Sequence, residues 1–405
     1  MAEEVWMLQT KKADFKQIGA RFRIDPVTAR IIRNRGIEGE AAIDRYLNGT
    51  LDDLYDPMLL KDMERAVSIL CEAVDTGKKI RIVGDYDIDG VCSTYILLQA
   101  FERLGSDVDF EIPDRIKDGY GINESIIEQA HADGVEVILT CDNGISAFHQ
   151  VELAKKYGMT VVITDHHEVP LDGEKEKIPP ADAVIDPKQA DCPYPFPEIC
   201  GAVVAYKLVQ VLYARRGVPR MEWLDLLEFA AIATVGDVMK LQDENRILVK
   251  YGLKKMAQTK NLGLRRLAEK NNLDLGAITA YHIGFVIGPC LNAGGRLKTA
   301  KEALALLRAQ SEEEAERLAE ELKELNDTRK DMTEQGTEAA KLQVESWYQK
   351  DKVLVVFLPE CHESLAGIIA GRLREYYQKP AIVLTRGEEA VKGSGRSIDE
   401  YHMFK

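Results

Sequence analysis

Residues 80–90 read Ile-Arg-Ile-Val-Gly-Asp-Tyr-Asp-Ile-Asp-Gly, a β-branched run that ends in three aspartates at alternate positions. Side chains at i, i+2 and i+4 of extended backbone share a face, so Asp85, Asp87 and Asp89 converge unless the chain turns between them. Three carboxylates gathered without a counter-charge repel one another, and a metal ion relieves them. An EF-hand loop also begins this way. Its twelfth position requires a bidentate Glu where this chain has Ile96, and a strand rather than a helix leads in. Taken by itself, the motif leaves a solvated acidic turn as the plain alternative.

Two more apolar runs open into polar residues of the same kind. Residues 135–140 lead to Cys141-Asp142-Asn143-Gly144, and residues 160–164 lead to Asp165-His166-His167-Glu168. Helical patterns over residues 91–104, 123–132 and 145–157 separate the runs, the alternation of an α/β domain with a parallel sheet and crossover helices. The carboxyl ends of such strands form one edge, where ligands bind. An apolar helix over residues 226–235 ends in Gly236-Asp237-Val238. Alone, an Asp after a Gly reads as a cap; beside the other acidic ends, Asp237 is a fourth candidate ligand.

These residues resemble the DHH phosphoesterases, whose name-giving motif stands here as Asp165-His166-His167, and more closely the RecJ branch. Gly84-Asp85-Tyr86-Asp87-Ile88-Asp89-Gly90, Asp142-Asn143-Gly144-Ile145-Ser146, Thr164-Asp165-His166-His167-Glu168, Gly236-Asp237-Val238, Gly288-Pro289-Cys290-Leu291-Asn292-Ala293-Gly294-Gly295-Arg296 and Gly393-Ser394-Gly395-Arg396-Ser397 match its motifs in order, over residues 15–400. The chain departs at Ile88, where Ala is usual, and at Cys361-His362-Glu363-Ser364, where a Trp-His-Pro-Gly-like stretch is common. Family members generally continue into an oligonucleotide-binding barrel. This sequence ends at Lys405, so its second lobe is expected to be incomplete.

The pattern divides the chain into an N-terminal segment of helices with a strand-like start at residues 5–8 (1–60), a DHH catalytic domain (61–310), a connecting helix (311–348) and a smaller α/β, DHHA1-type substrate-binding domain (349–405). Prolines 179, 180, 187, 193, 195 and 197 predict an extended surface crossing, since proline neither donates to a ladder nor continues a helix. Residues 311–347 carry Leu318, Leu322 and Leu325 at helical spacing among dense charges, which predicts a long exposed helix between two bodies. The seven cysteines show no paired spacing, and Cys192 and Cys200 read as buried or incidental. With no signal peptide and no apolar run of membrane length, the expected place is the cytoplasm.

A net charge of −14 is unusual for a nucleic-acid binder, but much of it lies in residues 311–324, which read as a solvated helix face. Locally the balance reverses, with Arg115 and Lys117, Arg296 and Lys298, and Lys392 and Arg396 beside the motifs.

Five carboxylates and one imidazole suit manganese or magnesium better than zinc, with manganese preferred because of His166. Two divalent cations reduce the five negative charges to one, whereas one would leave three. The resemblance implies that Asp85 and Asp87 serve one metal, that Asp89, His166 and Asp237 serve the other, and that Asp142 bridges. His167 is expected either to orient its neighbours or to contact the scissile phosphate or leaving oxygen, and Asp165 to orient a histidine. Arg115, Arg296, His362, Ser394 and Arg396 are candidate phosphate contacts, with Gly393 and Gly395 expected to form a turn that admits an anion closely.

The function implied is a two-metal exonuclease that degrades single-stranded DNA from the 5′ end to mononucleotides, in repair and recombination. It would act as a monomer, with a helicase or single-strand-binding protein as partner. The alternatives are a phosphodiesterase of short oligonucleotides or cyclic dinucleotides and a non-catalytic scaffold. Asp85, where small-substrate relatives typically have His, favours the exonuclease, and the intact ligand set argues against a scaffold.

Overall fold

The computed structural model describes residues 7–9, 11–116, 118–119, 121–387 and 390–403. Lys117 and part of the strand-like start expected over residues 5–8 lie outside them; residues 7–9 carry no regular structure.

Strands β1 (Ile80–Val83), β2 (Val108–Glu111), β3 (Val137–Cys141) and β4 (Thr160–Thr164) pair in the order β2-β1-β3-β4 within a five-stranded parallel sheet. Strands β5 (Leu171–Asp172) and β6 (Lys175–Glu176) form a small separate hairpin, and β7 (Ala183–Ile185) completes the large sheet beside β4. The sheet is covered on both faces. Ile80, Ile82, Leu139 and Val162 point into one core, packed by the helices Ile88–Arg103, Gly201–Arg215 and Leu227–Gly236. Val83, Ile138, Val161 and Ile163 point into a second core under the helices Glu124–Ala132 and Phe148–Lys156. Parallel strands buried on both faces read as continuous apolar runs. Each fully buried Val or Ile contributes roughly 1.5–3 kcal/mol relative to exposure. Arg81 interrupts β1 at its far end and is neutralised by Asp109 at 2.7 Å and Asp133 at 2.8 Å.

The proline-rich connection is not wholly a surface crossing. Between its prolines, Ala183–Ile185 is fully buried and pairs with Val162–Thr164. Three residues are too few to show a strand pattern in sequence; pairing with β4 decides their conformation.

The long helix Glu312–Gln343 begins at Ser311, whose hydroxyl accepts the Glu314 amide at 3.1 Å. It is less exposed than its charge suggests. Leu318, Ala319 and Leu322 pack into the core of the large sheet, and further on Met332 and Ala340 pack into the core of the second lobe. At 1.5 Å per residue it spans about 48 Å, enough to belong to both bodies.

The second lobe holds β8 (Leu354–Phe357), the helix Glu363–Tyr377, β9 (Ala381–Arg386) and β10 (Val391–Arg396), in the order β10-β9-β8. The Gly-Ser-Gly-Arg stretch, expected as a turn, is strand β10, antiparallel to β9. Its glycines alternate, so both lie on one face. A Cβ on Gly395 would come within 2.9 Å of the Met403 methyl carbon, and Gly393 lies against Leu384. Ser394 and Arg396 take the opposite face, over Gly367 of the Glu363–Tyr377 helix.

Candidate metal centre

The first acidic motif does not remain extended. Strand β1 stops at Val83, Asp85 follows in a short loop, and Asp87 caps the Ile88–Arg103 helix, its Oδ1 accepting the amides of Asp89 at 2.9 Å and Gly90 at 3.1 Å. Asp89 therefore sits in the first helical turn, and the turn between strand and helix, rather than a pleat, brings the three together. Asp142 follows β3 with φ 62°, a left-handed conformation in which Asp is better tolerated than most residues. Asp165 and His166 follow β4, and Asp237 closes the Leu227–Gly236 helix.

The ligand atoms fall into three overlapping groups, each within 4.8 Å: Asp85, Asp87 and Asp142; Asp89, His166 and Asp237; and Asp142, His166 and His167. His166 Nε2 lies 3.0 Å from Asp142 Oδ1, 3.4 Å from Asp89 Oδ2 and 3.9 Å from Asp237 Oδ2. Shared membership of Asp142 and His166 makes the groups one continuous centre.

Backbone groups fix these side chains. Both Asp89 oxygens accept amides from the start of the Gly201–Arg215 helix, Gly201 at 2.7 Å and Ala202 at 2.8 Å, a favourable place for a carboxylate. Any larger residue at 201 would collide with Asp142, whose Cβ lies 2.7 Å from where a Cβ would stand. Asn143 donates to the carbonyls of Val83 at 3.0 Å and Cys141 at 2.9 Å, locking the β1 and β3 ends together. Asn292 accepts the Ile88 amide at 2.8 Å. The anchoring roles of Gly201, Asn143 and Asn292 were not evident from sequence; Asn143 and Asn292 stand within quoted motifs, whereas nothing local marks Gly201.

The electrostatics are those of a centre short of positive charge. Burial, then Asp87, pushes Asp85 up to about 7. Burial, then Asp89 and Asp87, does the same to Asp237. Asp142 is raised well above the usual carboxylate range by burial and then Asp89. Burial lowers His166, leaving a neutral imidazole with a lone pair to give. His167 behaves oppositely: burial opposes its charge, but Asp165, accepting from Nδ1 at 2.7 Å, raises it to about 9. Asp165 also accepts the amides of His166 at 2.8 Å and Ile145 at 2.9 Å, so it holds the histidines from behind.

Beside the centre lies a recess of about 370 Å³ between the lobes, lined by Arg115, Arg296, Ser364, Lys392, Ser394 and Arg396. Arg115 lies 3.8 Å over the Tyr86 ring and donates to Gly295 O at 3.2 Å. Arg296 donates to Ser364 O at 3.1 Å, and burial, then Arg115, lowers it to about 10. Gly367 lets the Arg396 side chain cross its helix; a Cβ there would stand 2.6 Å from Nη2. Four of the five candidate phosphate contacts thus meet. His362 lies elsewhere, in an apolar cleft with Met332, Cys361 and Leu365, its Nδ1 2.7 Å from Ser364 Oγ. Lys298 pairs with Glu302.

A parallel sheet of this order, with carboxylates and a histidine at the β1–β3 switch point, is the architecture of a DHH domain, and the profile of the DHH family, N-terminal domain, matches residues 79–234. The single-stranded-DNA-specific exonuclease RecJ of Escherichia coli is 36% identical over 94% of this chain and 67% of its own length. That of Bacillus subtilis is 36% identical over 99% of the chain and 50% of its own length. A crystal structure of exonuclease RecJ bound to manganese superposes with a TM-score of 0.74 at 33% identity, covering 85% of this chain and 84% of the other. The Thermus thermophilus RecJ structure in complex with Mn2+ gives 0.79 at 30% identity, covering 95% and 53%. The chain belongs to the RecJ family. It spans half the length of the Bacillus relative and about two-thirds of the Escherichia one.

Proposed function

We propose that this chain hydrolyses the phosphodiester bonds of single-stranded DNA from the 5′ end, releasing 5′-mononucleotides, with two divalent cations, manganese or magnesium. The observation that carries this reading is the overlap of the three donor groups through Asp142 and His166. The donors fit such ions: hard oxygens predominate, the one nitrogen is an imidazole whose charged form burial disfavours, and burial, then Asp89, holds the Asp142 carboxyl well above its ordinary range. Asp85 and Asp87 would hold one cation, Asp89, His166 and Asp237 the other, with Asp142 shared. When bound, such a pair supplies a water of lowered pKa and neutralises charge developing on the phosphate.

The protein's own groups do the rest. His167, kept protonated by Asp165, is placed to hold a phosphate oxygen or to give its proton to the departing 3′ oxygen. Arg115, Arg296, Ser394 and Arg396 bind the terminal 5′ phosphate in the recess, which sets the bond to be cut one nucleotide further in. His362 stands outside that recess, and any contact it makes is to strand beyond the terminal phosphate. Residues 1–60, 61–310, 311–348 and 349–405 act as N-terminal segment, catalytic domain, connecting helix and phosphate-binding domain. Among the described residues no helix is long and apolar enough to cross a membrane. A monomer working in the cytoplasm, in repair and recombination beside a helicase or single-strand-binding protein, is the setting this reading implies.

The test is Asp142→Asn. The variant should fold, by circular dichroism, and lose hydrolysis in manganese, because no neighbour can replace a carboxylate shared between both groups. Near-normal turnover from the folded variant would rule out the shared role.

A further inference from the structure

Three apolar side chains stand in solvent on the Asp237 side of the centre. Tyr281 and Phe285 are 63% and 67% exposed, and their rings stack with centroids 4.8 Å apart and planes 28° from parallel. Val238, next in sequence to Asp237, is 85% exposed and held at φ 58°. Tyr281 stands on the short helical turn Ala280–His282, and Phe285 on the turn of π-helix that follows, Ile283–Ile287, whose Ile283 and Ile287 are buried while Phe285 faces out. Gly284 packs that turn against the Leu227–Gly236 helix, since a Cβ there would stand 3.7 Å from Val235 Cγ1, two residues before Asp237. The aromatic rim and the metal-ligand end of the helix are thus one packed unit.

We propose that Tyr281 and Phe285 form a stacking platform for unpaired bases of the strand as it leaves the centre towards its 3′ end. The inference rests on the proposed function and adds the path of the substrate. Arg115 and Arg296 stand beside Tyr86, against the Asp85 and Asp87 group, whereas Asp237 closes the other group across His166. A strand whose 5′ phosphate lies in the arginine recess and whose scissile phosphate lies at the centre continues past Asp237, where these rings are. The turn that carries Phe285 packs on the helix that Asp237 closes, and a base is the planar apolar partner the strand would bring there. Aromatic faces accept any base, so grip at this point is independent of sequence.

The experiment uses the full chain carrying Tyr281→Ala and Phe285→Ala together, with Phe285→Trp as the conservative control and thermal unfolding as the check on folding. Binding of a long oligothymidylate carrying 2-aminopurine a few nucleotides from its 5′ end is measured in calcium, and turnover of a dinucleotide is measured in manganese. We expect the double variant to bind the long strand about ten- to a hundredfold more weakly and to lose the fluorescence quenching seen with the parent. Dinucleotide turnover should be unchanged, and Phe285→Trp should bind as the parent does. Unchanged strand affinity and quenching would overturn the platform. So would a variant that differs only in self-association by sedimentation, which would make the patch a contact between copies. If the parent hydrolyses neither substrate, the proposed chemistry fails, while the binding and quenching results still decide the platform.

Discussion

At the scale of single residues, the centre is a set of carboxylates kept together against their own repulsion. Asp89 is held by two helix-terminal amides and Asp87 by two of its own helix, so the positive ends of backbone dipoles offset part of what burial costs. A single buried carboxyl elsewhere shows the same physics without the compensation. Glu228 is 3% exposed; Oε1 accepts from Thr259 at 2.7 Å, and Oε2 has no hydrogen-bond partner among the described residues. Burial pushes it from an ordinary value of 4.5 to about 7. The folded state thus binds a proton that the unfolded chain has released, so this group's contribution is full below 4.5 and is lost as pH rises through 7. Glu228→Gln, which keeps the bond from Thr259, should gain about 2–3 kcal/mol over the parent between pH 5 and pH 8.5. Urea unfolding midpoints at the two pH values measure it, and a gap that does not change with pH would mean the carboxylate is satisfied as an anion.

At the scale of elements, what could be read from sequence depended on what each element buries. Strands β1, β3 and β4 are covered on both faces, so their apolar runs are unbroken and the polar residues that end them stand out. Strand β2, Val-Asp-Phe-Glu, lies at the sheet edge and half-buried, β7 is three residues between prolines, and β10 is rich in glycine. None carries a period of its own, and each owes its conformation to a neighbour. The anchors were hidden for a related reason: Gly201 lies 112 residues from Asp89, and Asn292 lies 204 from Ile88. Strand β10 also changes how the second lobe is understood, because Arg396 projects from a paired strand over Gly367 rather than from a turn. Arg396→Ala should weaken strand binding about ten- to a hundredfold, the loss of roughly 1.5–3 kcal/mol from one charge-assisted hydrogen bond, with manganese affinity unchanged. His166→Ala should do the reverse. Calorimetric titration of manganese and strand binding in calcium on both variants separate the roles. Parent-like binding by Arg396→Ala would leave the terminal phosphate to Arg115 and Arg296.

At the scale of the whole molecule, the long helix Glu312–Gln343 packs into the cores of both lobes, so the two walls of the arginine recess belong to bodies built on one rod. The chain's net charge of −14 coexists with that recess because Arg115, Arg296, Lys392 and Arg396 are gathered there with Glu363 as the one acidic residue of its lining. Arginines against the Asp85 and Asp87 group on one side, and the proposed aromatic platform on the other, would give the crevice a direction. The most direct test is the order in which labelled ends are released from a single strand in manganese. A 5′ label should appear first, as mononucleotide, while the 3′ label stays on a shortening strand, and blunt duplex should resist. Early release of mononucleotide from the 3′ label would contradict the assignment of the recess to the 5′ phosphate, and with it the direction proposed for the whole crevice.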